Sequence, residues 1–125
     1  MRLLDLVVVA FGVGRIAIGL APFLAAKLTS QLLGFPASHD TATARLMARF
    51  FGVRDIGLGI LAFYAVRHPE AAAFVFAFNA LMDLGDLVAI TIPLIKRQGI
   101  DRAAALSALL AIGGGTGWLI LWLFA

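Results

Sequence analysis

The chain has 125 residues, of which 62% are hydrophobic and 14% charged, with a formal net charge of +3. Soluble domains carry about 25% charged and about 45–50% apolar residues, and a chain this short has too little interior to bury such an excess. A disordered chain, a coiled coil and a soluble enzyme are excluded, which leaves an all-α integral membrane protein, a four-helix transmembrane bundle forming one domain over residues 1–125.

A spanning helix needs about 20 mostly apolar residues. Four stretches qualify, at residues 3–26, 44–66, 71–95 and 103–124. The first imitates a signal peptide, with Arg2 before an apolar run and small residues at Ala25 and Ala26. The run is too long for that role and Arg15 interrupts it, so it is read as a span. The connection over 27–43 holds Pro36 and a turn, Ser38-His39-Asp40-Thr41, with candidate N-caps for the second span. It also holds Leu32, Leu33 and Phe35, which suit a membrane interface. Pro69 and Glu70 fit the first turn of the third span. Gly99 ends that span and Asp101 caps the fourth. Strand alternation is absent, so a barrel is not supported.

Lys27, Arg45, Lys96, Arg97 and Arg102 gather on one side of the four spans, against Arg2 and Arg67 on the other. The positive-inside rule then puts both termini outside a membrane, taken as a bacterial cytoplasmic membrane. The basic balance reflects that orientation, and no nucleic-acid partner is expected. Trp118, Trp122 and Tyr64 fall at the outer interface, where aromatic anchors are expected. His39 and His68 are read as interface residues. Cysteine is absent, which removes disulfides, thiolate metal sites and a cysteine nucleophile.

Two glycine patterns point to close helix packing. Phe11-Gly12-Val13 recurs as Phe51-Gly52-Val53, and Ile16 and Gly19 recur as Ile56 and Gly59, which predicts glycine-mediated contact between the first two spans. Gly113 and Gly117 form a Gly-x-x-x-Gly motif that joins the fourth span to its own bundle or to a second copy in a homodimer.

The informative residues are the charges inside the spans: Arg15 in the first, Arg49, Arg54 and Asp55 in the second, Asp83 and Asp86 in the third. Each costs about 2.5–3.5 kcal/mol at the bilayer centre on insertion scales. They must therefore face the bundle and pair, or line a wet cavity. Asn79, Asp83 and Asp86 share one helix face, and Gly85 beside them is expected to admit a neighbouring helix. Of the two carboxylates Asp83 and Asp86, one is expected to be held ionised by arginine, leaving the other as an acid or base. Two carboxylates without a third are a weak metal signal, so neither metal nor cofactor is expected.

The run Arg49-Phe50-Phe51-Gly52-Val53-Arg54-Asp55-Ile56-Gly57-Leu58-Gly59 resembles that of a family of small four-span membrane proteins of unknown function. The likeness extends to Gly19-Leu20-Ala21-Pro22, to Leu33-Gly34-Phe35-Pro36 and to Asp83 with Asp86. It implies a four-helix membrane fold and no activity, and it raises Arg54, Asp55, Asp83 and Asp86 as the site.

The leading functional expectation is acid-base chemistry on, or binding of, a lipophilic small molecule such as an epoxide, terpenoid or lipid. An isomerase, a cyclase or an epoxide hydrolase has this form. Asp83, Asp86, Asp55 and Arg54 would carry the chemistry, with Arg15, Arg49 and Asn79 binding the substrate. The alternatives are a small dimeric proton-coupled transporter or anion channel, and an accessory subunit whose charges serve folding.

Overall fold

The computed structural model describes residues 1–125 and is all-α. Helix α1 (Leu3–Leu24) starts where the Arg2 backbone N–H donates to the Asp5 carboxylate at 3.1 Å. A short helix, α2 (Ala26–Leu33), follows after a break at Ala25 and stops at Gly34, whose φ of +89° is left-handed. A 3₁₀ turn at Ala37–His39 leads to α3 (Ala42–Arg67), capped by Thr41, whose hydroxyl accepts from the Ala44 N–H at 3.1 Å. A second 3₁₀ turn, Pro69–Ala71, opens into α4 (Ala72–Ile95), and α5 (Asp101–Leu123) closes the chain.

Four long helices therefore lie where four spans are expected, but the helix count is five. The addition is α2, in the connection expected to lie at an interface. Three stretches are long and apolar enough to cross a membrane: α1, Pro69–Ile95 and α5. Helix α3 is long enough but carries Arg45, Arg49, Arg54 and Asp55 within its length. Asp101 sits inside the first turn of α5, where its charge suits the helix dipole, and makes no cap bond.

The helices associate as two close antiparallel pairs, α1 with α3 and α4 with α5. The first pair is set by glycines at the repeated positions. A Cβ on Gly19 would lie 2.5 Å from the Gly52 carbonyl oxygen, and one on Gly59 would lie 2.7 Å from the Gly12 carbonyl oxygen. Ile16 fills the space left at Gly59, and Ile56 the space left at Gly19. The repeat is thus an approximate two-fold relation between α1 and α3, expressed as backbone contact. Gly85 has no such role, since nothing lies near it. The close approach to α4 is made at Gly114 and Gly115 of α5, which lie against Asp83.

Between the two pairs the bundle divides along its axis. The half that holds both termini is a packed core of Val8, Ala62, Ala65, Val75, Phe76, Trp118 and Leu121. Trp118 is 1% exposed, its ring 5.4 Å from Phe11 in an edge-on contact and 6.0 Å from Phe76. It is a core residue and not the interfacial anchor expected of it, because Gly117 beside it admits the Phe11 ring and draws α5 inward. Trp122 and Tyr64 do face outward. Gly117 is thus occupied within the chain, while Gly113 faces open space. The other half of the bundle holds an open-sided cavity, and buried charges mark the boundary.

The glycine contacts make a paired prediction. Gly52→Ala should destabilise the purified protein by about 1–3 kcal/mol, because its Cβ would meet the Gly19 backbone. Gly57→Ala, which meets nothing within 4 Å, should be neutral or stabilising by up to about 1 kcal/mol. Equilibrium unfolding in detergent measures both.

Candidate functional site

Arg15 lies about 18 Å along α1 from Leu3, near mid-helix, and is 7% exposed. Its guanidinium spans to α4. Nε donates to Asn79 Oδ1 at 2.8 Å, and Nη2 to the Asn79 carbonyl at 3.1 Å. Nη1 and Nη2 donate to the two oxygens of Asp83 at 2.9 and 3.1 Å. Asn79 is held in turn by its Nδ2 donating to the Val75 carbonyl at 3.0 Å. The Trp118 ring lies 5.8 Å from the guanidinium carbon and closes the site toward the core. Gly114 and Gly115 leave room for Asp83, since a Cβ on Gly114 would stand 3.0 Å from its Oδ2.

A second fork forms beside the first. Arg54 of α3 donates to both oxygens of Asp86 on α4 at 2.7 and 2.8 Å. Its Nε and Nη2 also reach Asp55 Oδ1 at 3.3 and 3.0 Å, and its guanidinium lies 4.7 Å over the Phe51 ring. This pair is half-buried, at the seam between α3 and α4. Asp55 stands between the forks with 2% of its side chain exposed. Oδ1 is bound by Arg54, whereas Oδ2 accepts no hydrogen bond and has Arg15 Nη1 at 3.8 Å.

Six of the seven residues singled out from the sequence are therefore brought together: Arg15, Arg54, Asp55, Asn79, Asp83 and Asp86. Arg49 is not. It lies on the exposed side of α3, beside a shallow cleft with Lys27 and Gln31. One turn and a half separates it from Arg54 on a helix, too far around the axis to share its face. The cluster thus holds two cations and three anions, instead of the neutral set of six expected. Asp83 and Asp86 also differ from expectation. Each has its own bidentate arginine, and Asp55 is the carboxylate with an oxygen to spare.

The cluster forms one end of a cavity of about 780 Å³. Arg15, Asp55, Asp83 and Asp86 line that end. The walls are largely apolar, with Ile18, Met47, Phe51, Ile90 and Leu110 among them. At the far end lie α2 and the 3₁₀ turn, with Leu33, Phe35, His39 and Asp40. Two contacts hold that end in place. Arg45 donates to both oxygens of Asp40 at 2.8 and 2.7 Å. The stem of Arg102 lies over Gly34, where a Cβ would be 2.7 Å from its Cδ. Sequence reading used Arg45 and Arg102 only as orientation charges. The signal for the first contact was the placement of Asp40 and Arg45 on either side of the Thr41 cap.

Residues 12–124 match the family described as Domain of unknown function (DUF4267), and the chain belongs to that family. No curated protein and no solved structure matches it.

Removing Arg15 leaves Asp83 buried without its cation. Arg15→Met should cost about 3–5 kcal/mol of stability, and the double variant Arg15→Met with Asp83→Leu should recover most of it. Thermal unfolding of the purified proteins tests this pair. At the other end of the cavity, the Arg45 guanidinium holds the Asp40 carboxyl below the usual carboxylate range. A depressed value in the folded state means the contact contributes fully above the ordinary value near 4 and is lost as pH falls through the folded value. Pepsin cleavage within residues 34–41 should therefore rise between about pH 4 and pH 2, and Asp40→Asn should be cleaved readily at both.

Proposed function

We propose that this protein is an integral membrane receptacle for a lipophilic small molecule, whose polar end meets the carboxylates at the end of the cavity. The observation that carries this reading is the continuity of the cavity, about 780 Å³ with mainly apolar walls, with a cluster of buried ionisable groups. Such a combination of apolar surface and a few convergent polar groups is the usual form of a small-molecule site. Asp55 is the group placed to meet the ligand, through the oxygen that no donor occupies. With a ligand that carries a titratable hydrogen, proton exchange is the chemistry it offers. Arg15 and Asn79 position Asp83, and Arg54 positions Asp86.

In this reading all four long helices span. Helix α3 qualifies despite its charges, because Arg54 and Asp55 turn into the bundle and find partners there. Lys27, Arg45, Lys96, Arg97 and Arg102 lie at the cavity end of the bundle, so the cavity occupies the cytoplasmic half and the termini lie outside. A second reading rests on the pairing of every fully enclosed side-chain polar atom, with Asp55 Oδ2 at the cavity as the one cluster oxygen left without a hydrogen bond. It makes the cluster a folding latch and the protein an accessory subunit.

Mass spectrometry of small molecules that co-purify in mild detergent separates the two. The wild type should retain a lipophilic species. Ala89→Trp and Ala48→Phe, which fill the cavity from α4 and α3 and leave every charged residue in place, should lose it while unfolding at a similar temperature. An empty wild type, or equal retention by both variants, would discard the receptacle and leave the latch.

A further inference from the structure

We infer that the molecule this cavity receives is a lipophilic cation, a protonated amine or a quaternary ammonium with apolar substituents. The inference rests on the receptacle reading above and adds the sign of the ligand's charge.

Charge and geometry both bear on it. The cluster counts two guanidinium groups against three carboxylates, so with all three ionised it is one positive charge short, a deficit that a proton or a cationic ligand would fill. A buried group of charges is stable when it is neutral and hydrogen-bonded. The side facing the cavity is more acidic still. Asp55, Asp83 and Asp86 line it, Arg15 is the single cation among them, and Arg54 lies behind.

Arg15 has only one N–H direction not committed to a hydrogen bond. Four of its N–H directions go to Asn79 and Asp83, and the fifth is turned to the Asp55 side at 3.8 Å. At the far end of the cavity, Arg45 is engaged by both oxygens of Asp40. An anionic head group at the charged end would thus face three carboxylates with a single arginine N–H, the one turned to Asp55, to meet it. The open valence is Asp55 Oδ2, an acceptor on a side chain 98% withdrawn from solvent and lining the cavity. A cationic head placed there completes the charge balance, and its apolar substituents lie against Ile18, Phe51 and Leu110.

The sign can be read with two lipophilic ions of the same shape, tetraphenylphosphonium and tetraphenylborate. Each is equilibrated with the full-length protein in lipid nanodiscs, with empty nanodiscs correcting for partition. The wild type should show saturable phosphonium binding and none for the borate. Asp55→Asn should weaken phosphonium binding about tenfold or more, and Asp55→Glu should retain it. The comparison of signs is made on the wild type, so it stands even if Asp55→Asn does not fold. Saturable borate binding, or phosphonium binding indifferent to Asp55→Asn in a folded protein, overturns the inference. If a neutral molecule co-purifies and neither ion displaces it, the cation is wrong and the receptacle remains. If neither ion binds and nothing co-purifies, both fall together.

Discussion

Arg15 is the point on which the two halves of this bundle are joined. One guanidinium ties α1 to α4 through four hydrogen bonds, two to Asn79 and two to Asp83. The constraint behind it is that an ionised group withdrawn from water must be fully paired. A planar fork satisfies this better than an ammonium, since its donors match a carboxylate two at a time. The surroundings follow from that requirement. Trp118 packs beneath the fork, Asn79 is locked by its own helix, and α5 presents glycines where Asp83 needs room.

The close α1–α3 pair has a separate cause and serves the same site. Backbone contact at Gly12, Gly19, Gly52 and Gly59 brings the two helices together without large side chains between them. Arg15 and Asp55 occupy corresponding positions of the repeat, so the approach that seats the glycines also seats these opposite charges near one another. Apolar packing then fills only the terminal half. In the other half, the small residues of late α1 and early α5 and the detour through α2 leave space unfilled. A dry core, a layer of charge and a cavity thus succeed one another along the axis.

Sharing of one carboxylate between two forks distinguishes this cluster from a set of independent ion pairs. Asp83 and Asp86 are each saturated by one arginine, and Asp55 receives what the geometry leaves over. Its second oxygen stands at the boundary between charge and cavity without a hydrogen-bond donor. The opposite end is closed by short-range devices, an ion pair across a helix cap and an arginine stem on a left-handed glycine. Both pin the connection between α1 and α3, the first to α3 and the second to α5.

Some of this was legible in the residues. Apolar runs at 3–26, 71–95 and 103–124 announced helices, because hydropathy over about 20 residues needs no tertiary partner to be read. Charges at 15, 54, 55, 83 and 86 announced a buried cluster, because lipid cannot hold them singly. The period of 40 announced glycine contact between the first two long helices. Tertiary structure decided the remainder. Which arginine meets which aspartate depends on helix rotation and offset, and these placed Arg49 outside the cluster and left Asp55 with the free oxygen. The spacing of Trp118 from Trp122 describes a helix face without saying what lies opposite, so an anchor is expected where the fold makes a core residue. Gly85 and Gly114 look alike in sequence, yet only the second has a neighbour. A cavity beside the charges is one of the two outcomes their cost in lipid allows, but its position and volume belong to a space between helices that no residue encodes alone.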